Sequence, residues 1–559
     1  MSKSEMSKSR PRRPRSLSFL SSLSSTSSTT FGSRLVVALF AALWVSTVPS
    51  AALAVPRLTD VVIVGAGLSG LTAAHELKES GLSYHVLELA PIIGGRVKTV
   101  EYARTGKTGT VSADAGMEEY WESNPAVSLI RKLKLPIRTD PALSSIVIGG
   151  KLYSLGGAQP LDHMHRLFNG DEIEALAKFK DEVAKTLNGL KPGEGIPVAL
   201  KPLVNISFAD WVKSHKLTSR LEDWIRITLE CEIGTGWDRI SALDGVAEFH
   251  IFLGEGETSY RVTGGNVKFV NALADSIGRD NISLNKRVIR IASVGDKNGG
   301  KSRVTFLSTD TNQNAEIEAK HVIVTVPLYR LMEVQFEPAL SQRKRDAISA
   351  LGWGSYFKVH VLLPRSSEKF WTVRGRSMLP VLSDSDLGVI YDGNPDQANG
   401  GGDGDVDGNS LRILSLLIGG DRAERLNFTP LDRAREEIKA AFDKLWPGLS
   451  ATIVDMEFYR YHPRAIAAWP VGRSRFDQMS DDIRTPENNV YLAGDHTESS
   501  HSDGAVNSAV RVVSQIMKAE GIPARDNLVT KHQKTTKIKS RIGKSLLKRN
   551  DHGATTKKL

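Results

Sequence analysis

Three glycines, an acid and an arginine between residues 60 and 96 have the types and the spacing that hold a dinucleotide. Gly65-Ala66-Gly67-Leu68-Ser69-Gly70 is a G-x-G-x-x-G, Glu88 follows it by eighteen residues, and Gly94-Gly95-Arg96 closes the stretch. Gly65 permits a tight turn, Gly67 lets backbone approach a pyrophosphate, and Gly70 lets a helix pack closely. Ser69 lies in the same turn. The N–H groups that open a helix, together with its dipole, favour the phosphates. Glu88 is placed for a ribose hydroxyl pair. A guanidinium at Arg96, carried on a glycine pair that includes Gly95, can meet the pyrophosphate bidentately. A different chemistry is available at Lys358, an amine inside an otherwise apolar stretch.

These residues need elements to position them. Val61 to Val64 read as a buried strand. Leu68, Leu71, Ala74 and Leu77 share one face of a helix that stops at Gly81, and Tyr84 to Leu87 form a second strand ending at Glu88. That is a βαβ unit, and it makes the fold class α/β with a Rossmann-like, doubly wound domain. The unit alone leaves NAD and FAD both open. Gly354 to Pro364 alternates with period two. Phe357, Val359, Val361 and Leu363 fall on one face, and Tyr356, Lys358 and His360 on the other. By pattern alone this is a half-exposed strand with a solvated lysine. Helices are expected at Pro125–Leu133, Asp171–Leu187, Phe208–His215, Arg220–Glu230 and Leu431–Leu445, and a buried strand at Ala319–Pro327.

The order E-x-x-x-x-x-G-G-R after the βαβ unit resembles the flavin amine oxidase family of monoamine, polyamine and L-amino-acid oxidases. So do Ala468-Trp469-Pro470-Val471-Gly472 and the later Gly494-Asp495-His496-Thr497. The Gly352-Trp353-Gly354 turn before the lysine strand is similar to polyamine oxidases in particular. The resemblance covers about residues 57–525. It implies a glutathione-reductase-like FAD domain built from 57–123, 255–335 and 451–525. An α+β substrate domain from 124–254 and 336–450 would be interleaved with it. It implies non-covalent FAD, because 464–468 lacks the cysteine that tethers flavin in monoamine oxidases. Gly65, Gly67, Ser69, Gly70, Glu88, Gly95, Arg96, Val288, Gly494, Asp495 and Val506 would hold the cofactor. A helix starting near Gly504 would stabilise reduced flavin.

The resemblance further implies that Lys358 fixes a water at flavin N5 and that Trp469 walls the cavity. Glu118 and Glu119 follow a D-x-G segment that faces substrate, where they would favour a cationic amine over a carboxylate. Ile466 (or Ala465) and Ala505 stand where the family often builds an aromatic cage, which implies a wider cavity and a bulkier or longer amine. The implied reaction takes a primary or secondary amine to an imine or aldehyde and O2 to hydrogen peroxide. An L-amino-acid oxidase, a desaturase-like flavoenzyme and a non-catalytic flavin-binding protein are the alternatives.

A chain of 559 residues suits two or three domains. The net charge of +10 sits at the ends. Residues 1–34 carry seven Lys or Arg against one Glu, and residues 531–559 ten against one Asp, so the body between is mildly acidic. No nucleic-acid partner is therefore expected, and residues 526–559 read as a basic disordered tail. Residues 1–56 read as a basic Ser-rich leader. Within it the apolar run 35–55 is a secretory signal or a membrane anchor, with an organellar transit peptide as the other reading. The lone Cys231 permits no internal disulfide and no cysteine cluster. Asp403, Asp405 and Asp407 only imitate a calcium loop, so no metal is expected.

Overall fold

A computed structural model describes residues 58–103, 110–140, 145–154, 166–190, 194–253, 258–295, 300–393, 411–523 and 527. The leader with its apolar run, the 399–409 loop and all but residue 527 of the basic tail lie outside the described residues. Among those that are described, no helix is long and apolar enough to cross a membrane.

Two large sheets position the chemistry. In the first, Leu58–Val64 pairs in parallel with Tyr84–Leu87 on one side and with Gln313–Val324 on the other. The order across this sheet is Ile282–Ser283, Tyr84–Leu87, Leu58–Val64, Gln313–Val324, Lys301–Ser308, Lys286–Val294 and Gln335–Glu337. Val490–Leu492 also pairs with the long central strand. Val61 to Val64 are buried because both faces are covered, which is why the strand reads as a continuous apolar run. Helices Leu68–Ser80 and Ser502–Ala519 pack one face, through Leu71, Ala74, Ala509 and Val513 among others. The expected strand at 319–327 is the buried end of Gln313–Val324.

Close backbone approach locks the βαβ turn. A methyl group on Gly70 would lie 2.0 Å from the Gly65 carbonyl oxygen, and Gly65 itself has φ of 107°. Gly70 therefore packs helix on strand and does not line the cavity, which corrects its expected cofactor contact.

The second sheet runs Asp455–Ala468, Gly352–Pro364, Leu411–Gly419, Val389–Asp392, Val381–Ser383, Ser145–Ile148 and Lys151–Ser154. Gly352–Pro364 is antiparallel to both of its neighbours, with Lys358 opposite Leu417 on one side and Tyr459 on the other. Its two faces divide as the period-two pattern requires. Phe357, Val359, Val361 and Leu363 enter an apolar core closed by Leu431–Leu445, whose Ala434, Ile438 and Phe442 are fully buried. The opposite face is also covered, so Lys358 has no exposed surface and the solvated-lysine reading fails. Because Asp455–Ala468 hydrogen-bonds into this sheet, the boundary expected at residue 451 lies beyond Ala468.

The helices between the sheets follow sequence closely: Pro125–Lys132, Gly170–Asn188, Phe208–Ser214 and Ser219–Ile233. Each starts at a side-chain cap, from Asn124, Asn169, Ser207 and Thr218 in turn.

The Gly70 contact yields a direct expectation. Gly70→Ala should destabilise the protein by about 1–3 kcal/mol through overpacking, read as a lower unfolding midpoint. An unchanged midpoint would show that helix and strand can part at no cost.

Candidate active site

A cavity of about 1120 Å³ opens between the Gly-rich turn, the lysine strand and the last helix. It exceeds the volume usual for one drug-sized ligand, about 300–1,000 Å³, and has room for a dinucleotide together with a substrate. Gly65, Gly67, Ser69, Glu88, Gly95, Arg96, Val288, Gly494 and Asp495 all line it.

The two halves of the first motif are joined directly. Gly94 donates its N–H to the Ala66 carbonyl at 2.9 Å. A methyl group on Gly67 would meet nothing within 4 Å, so this backbone is open to a cavity guest. Helix Leu68–Ser80 has no side-chain cap and no acid in its first turn. Helix Ser502–Ala519 also lacks a side-chain cap. Open N–H groups at a helix start call for a partner, and an anionic dinucleotide fits that need at the Gly-rich turn. Glu88 holds the turn, its Oε2 accepting from Ala66 N at 2.6 Å and its Oε1 from Ala90 N at 2.8 Å. Ser69 Oγ lies 3.2 Å from Ser508 Oγ, which in turn accepts from Gly494 N at 2.8 Å.

Arg96 spans the site. It donates to both oxygens of Asp495, at 2.5 and 2.7 Å, and to the Ala465 carbonyl at 3.1 Å. The Arg96 side chain stays half exposed while that of Asp495 is buried. Burial opposes the Asp495 charge, but Arg96 outweighs it and holds the carboxyl well below its usual range. Arg96 thus ties the first motif to the last one.

On the lysine strand, Lys358 Nζ donates to the Gly116 carbonyl at 2.8 Å and to Glu118 Oε2. Glu118 Oε1 accepts from Arg261 Nη1 at 2.9 Å. Burial opposes ionisation of Glu118, but Lys358 and Arg261 reverse the balance and lower its pKa. Glu118 was expected to meet a cationic substrate; its carboxylate is instead committed to two protein cations. Glu119 keeps a place on the cavity wall, accepting from Ser259 Oγ, and burial raises its carboxyl to about 7.

A second charged group stands at the start of the last helix. His501 Nε2 lies 2.9 Å from Glu248 and 3.6 Å from Glu232. Burial disfavours its charge, but Glu248 overrides that and lifts the imidazole to about 10, so it is a cation at neutral pH. Arg475 binds Asp244 at 2.8 Å and also Glu248. Burial raises the Glu232 carboxyl.

Two expected site residues sit elsewhere. Trp469 is 2% exposed beneath Arg475, whose guanidinium carbon is 4.7 Å from its ring, and its Nε1 donates to Ser480 at 3.1 Å. It is core and does not wall the cavity. Val506 is buried among the first sheet's helices, one residue behind the cavity-lining Ala505. Ile466 lines the cavity as expected. Aromatic walls come from Tyr356, Tyr391 and Tyr461. Only Tyr356 had a sequence signal, as a neighbour of Lys358 on its strand face. Arg261, Glu232, Glu248 and His501 had none, since nothing local marks a residue delivered by a distant helix or strand.

Residues 68–517 match the family model described as flavin containing amine oxidoreductase. The pig amine oxidase [flavin-containing] B is 23% identical over 493 residues, covering 84% of this chain and 88% of that protein. A wild-type putrescine oxidase bound to putrescine superposes with TM-score 0.67 at 21% identity, covering 82% of this chain and 99% of the other. Cyclohexylamine oxidase from Brevibacterium oxydans gives TM-score 0.66 at 21% identity, covering 83% and 100%. The chain belongs to the flavin-containing amine oxidoreductase family, and it is an enzyme whose cofactor is FAD.

The Arg96–Asp495 pair generates the next expectation. Asp495→Asn leaves Arg96 without its counter-charge and should weaken FAD retention by more than about tenfold, or about 1.4 kcal/mol. Flavin release on dilution or gel filtration measures it, and wild-type retention would refute the pair's role.

Proposed function

We propose that this protein oxidises a primary or secondary amine carrying a second cationic or bulky portion, and that O2 reoxidises the flavin with release of hydrogen peroxide. The observation that carries the reading is the pairing of charges around the cavity. Arg475 at its wall and Arg261 behind Glu118 each spend their charge on carboxylates. Glu119 and Glu232 face the cavity instead: Glu119 accepts from Ser259 and lies in the field of Arg261, and Glu232 shares the His501 cation with Glu248. That balance favours an ammonium over the carboxylate of an amino acid. Small side chains at Ala465 and Ala505 leave width for a longer amine.

FAD supplies the two-electron acceptor when bound. The chain's own groups do the rest. The amine loses two electrons and two protons to become an imine, which water hydrolyses, and O2 takes up two electrons and two protons. Lys358 presents an ammonium at the wall where a water or an oxygen species would be held. The acidic wall orients the far end of the amine. Tyr356, Tyr391 and Tyr461 give the cavity aromatic walls against which an amine's carbon chain can pack. The apolar run at 35–55 supports export into an endomembrane lumen or out of the cell as the place where this occurs.

The test is peroxide release from purified protein offered diamines, monoamines and amino acids across pH 6–9. Glu119 gains its charge as pH rises through about 7, so the KM for a diamine should fall several-fold over that limb. Glu119→Gln should flatten it. Peroxide from amino acids alone would overturn the proposal, as would a pH limb that survives the substitution.

A further inference from the structure

We propose that Glu118 is a positioning residue for Lys358. It anchors the ammonium against the cavity wall so that one of its three N–H groups is left for what the cavity holds. An ammonium has three donors and no acceptor. Gly116 O takes one donor at 2.8 Å and Glu118 Oε2 takes a second. Both acceptors come from one short loop, and that loop is fixed from several sides. Asn266 Nδ2 donates to the Met117 carbonyl at 3.1 Å and to the Glu118 carbonyl at 2.8 Å. Gly116 donates its N–H to the Lys98 carbonyl at 3.0 Å. Tyr461 donates its hydroxyl to the Ala115 carbonyl at 2.6 Å. A methyl group on Gly116 would lie 2.0 Å from the Arg96 carbonyl oxygen, so the loop admits no other residue there.

Charge explains why the anchor must be a carboxylate. Lys358 is 0% exposed, Glu118 5% and Arg261 4%. Arg261 also donates to the Asp392 carbonyl at 3.1 Å and lies over the Tyr391 ring. Two buried cations therefore share the Glu118 carboxylate, and Arg261 also lies in the field of Glu119. Removing the anion takes from Lys358 its ion-paired carboxylate, the costly arrangement for a buried cation. Lysine is the one of the two that can escape by losing its proton, since a guanidinium does not.

Among the described residues, no other titratable neighbour hydrogen-bonds the Lys358 ammonium. Asp114 is raised to about 6 by burial and by Glu118, and its Oδ1 is taken by Thr99 Oγ1 and Asn266 N. His360, from the same strand, is lowered to about 4 by burial and by Lys358, and is neutral. Glu119 and Glu232 face the cavity, with Glu119 bound to Ser259, and the phenol of Tyr391 is raised well above its usual value by burial.

The inference rests on the amine oxidase reading for its consequence, though not for its geometry, and Glu118→Gln separates the two. In this variant the folded protein releases the Lys358 proton more readily than the unfolded chain, which carries it up to about pH 10.4. The unfolded state then binds the extra proton, so the variant gains stability as pH rises. The gap in unfolding midpoint between wild type and Glu118→Gln, both FAD-loaded, should be widest at pH 6–7. It should narrow by about 2 °C or more toward pH 10. A gap that stays constant across this range overturns the proposal whatever the substrate proves to be.

Flavin reoxidation supplies the second readout. Relative to wild type, Glu118→Gln should acquire a rate that falls more steeply as pH rises within 6–9, and Glu118→Asp should restore much of the wild-type profile. In a Lys358→Met background, Glu118→Gln should slow reoxidation no further; an added loss would show that Glu118 acts by another route. If the single variant fails to fold, Glu118→Gln/Lys358→Met should recover stability relative to it, because the buried Lys358 cation is gone. Failure of the double variant to recover also overturns the proposal.

Discussion

A lysine ammonium with no exposed surface survives only where protein groups replace its water, and that constraint organises the cavity. Lys358 sits mid-strand, so its position is set by the register of Gly352–Pro364 against two neighbours. Its acceptors come from a loop that leads out of the first sheet's half of the chain. The counter-charge Glu118 is itself held by Arg261 from a third strand. One buried cation thus requires a strand, a loop and a distant arginine to agree in place. The lysine's large sheet and the small three-stranded sheet that carries Arg261 are what bring them together.

The cofactor end obeys a different constraint, that of close approach. Gly70 and Gly65 exclude side chains so that strand and helix can touch, and Gly67 leaves backbone open to the cavity. Arg96 then links this turn to Asp495, almost four hundred residues later. The dinucleotide clamp is therefore discontinuous in sequence yet closed by a single bidentate ion pair. It also places the start of the last helix, with its His501 cation, on the wall of the same cavity.

What sequence disclosed follows from locality. The βαβ unit, the faces of the lysine strand and most helix limits depend on periodicity and caps within a few residues, and they were legible. Lys358 was legible as a candidate, but its burial was not, because covering its strand face takes elements far away in sequence. Glu118 misled for the same reason. An acid after a cavity-facing glycine reads as a substrate contact until Arg261 and Lys358 are seen to claim both of its oxygens. Trp469 misled in another way: its motif marks the family, while the ring serves the core under Arg475. The strand Asp455–Ala468 pairs with Gly352–Pro364 across an expected boundary, because pairing partners cannot be read from one strand alone. Tyr391 and Glu232 carried no sequence signal, being delivered by elements with no motif.

The central claim is that this wall selects cations and that the amine's electrons pass to the flavin. Anaerobic mixing of the FAD-loaded protein with a diamine, a monoamine of equal length and an amino acid tests it most directly. The account predicts loss of oxidised-flavin absorbance with the amines, fastest with the diamine, and none with the amino acid. Bleaching by the amino acid, or an oxidised flavin in the presence of every amine, would contradict it.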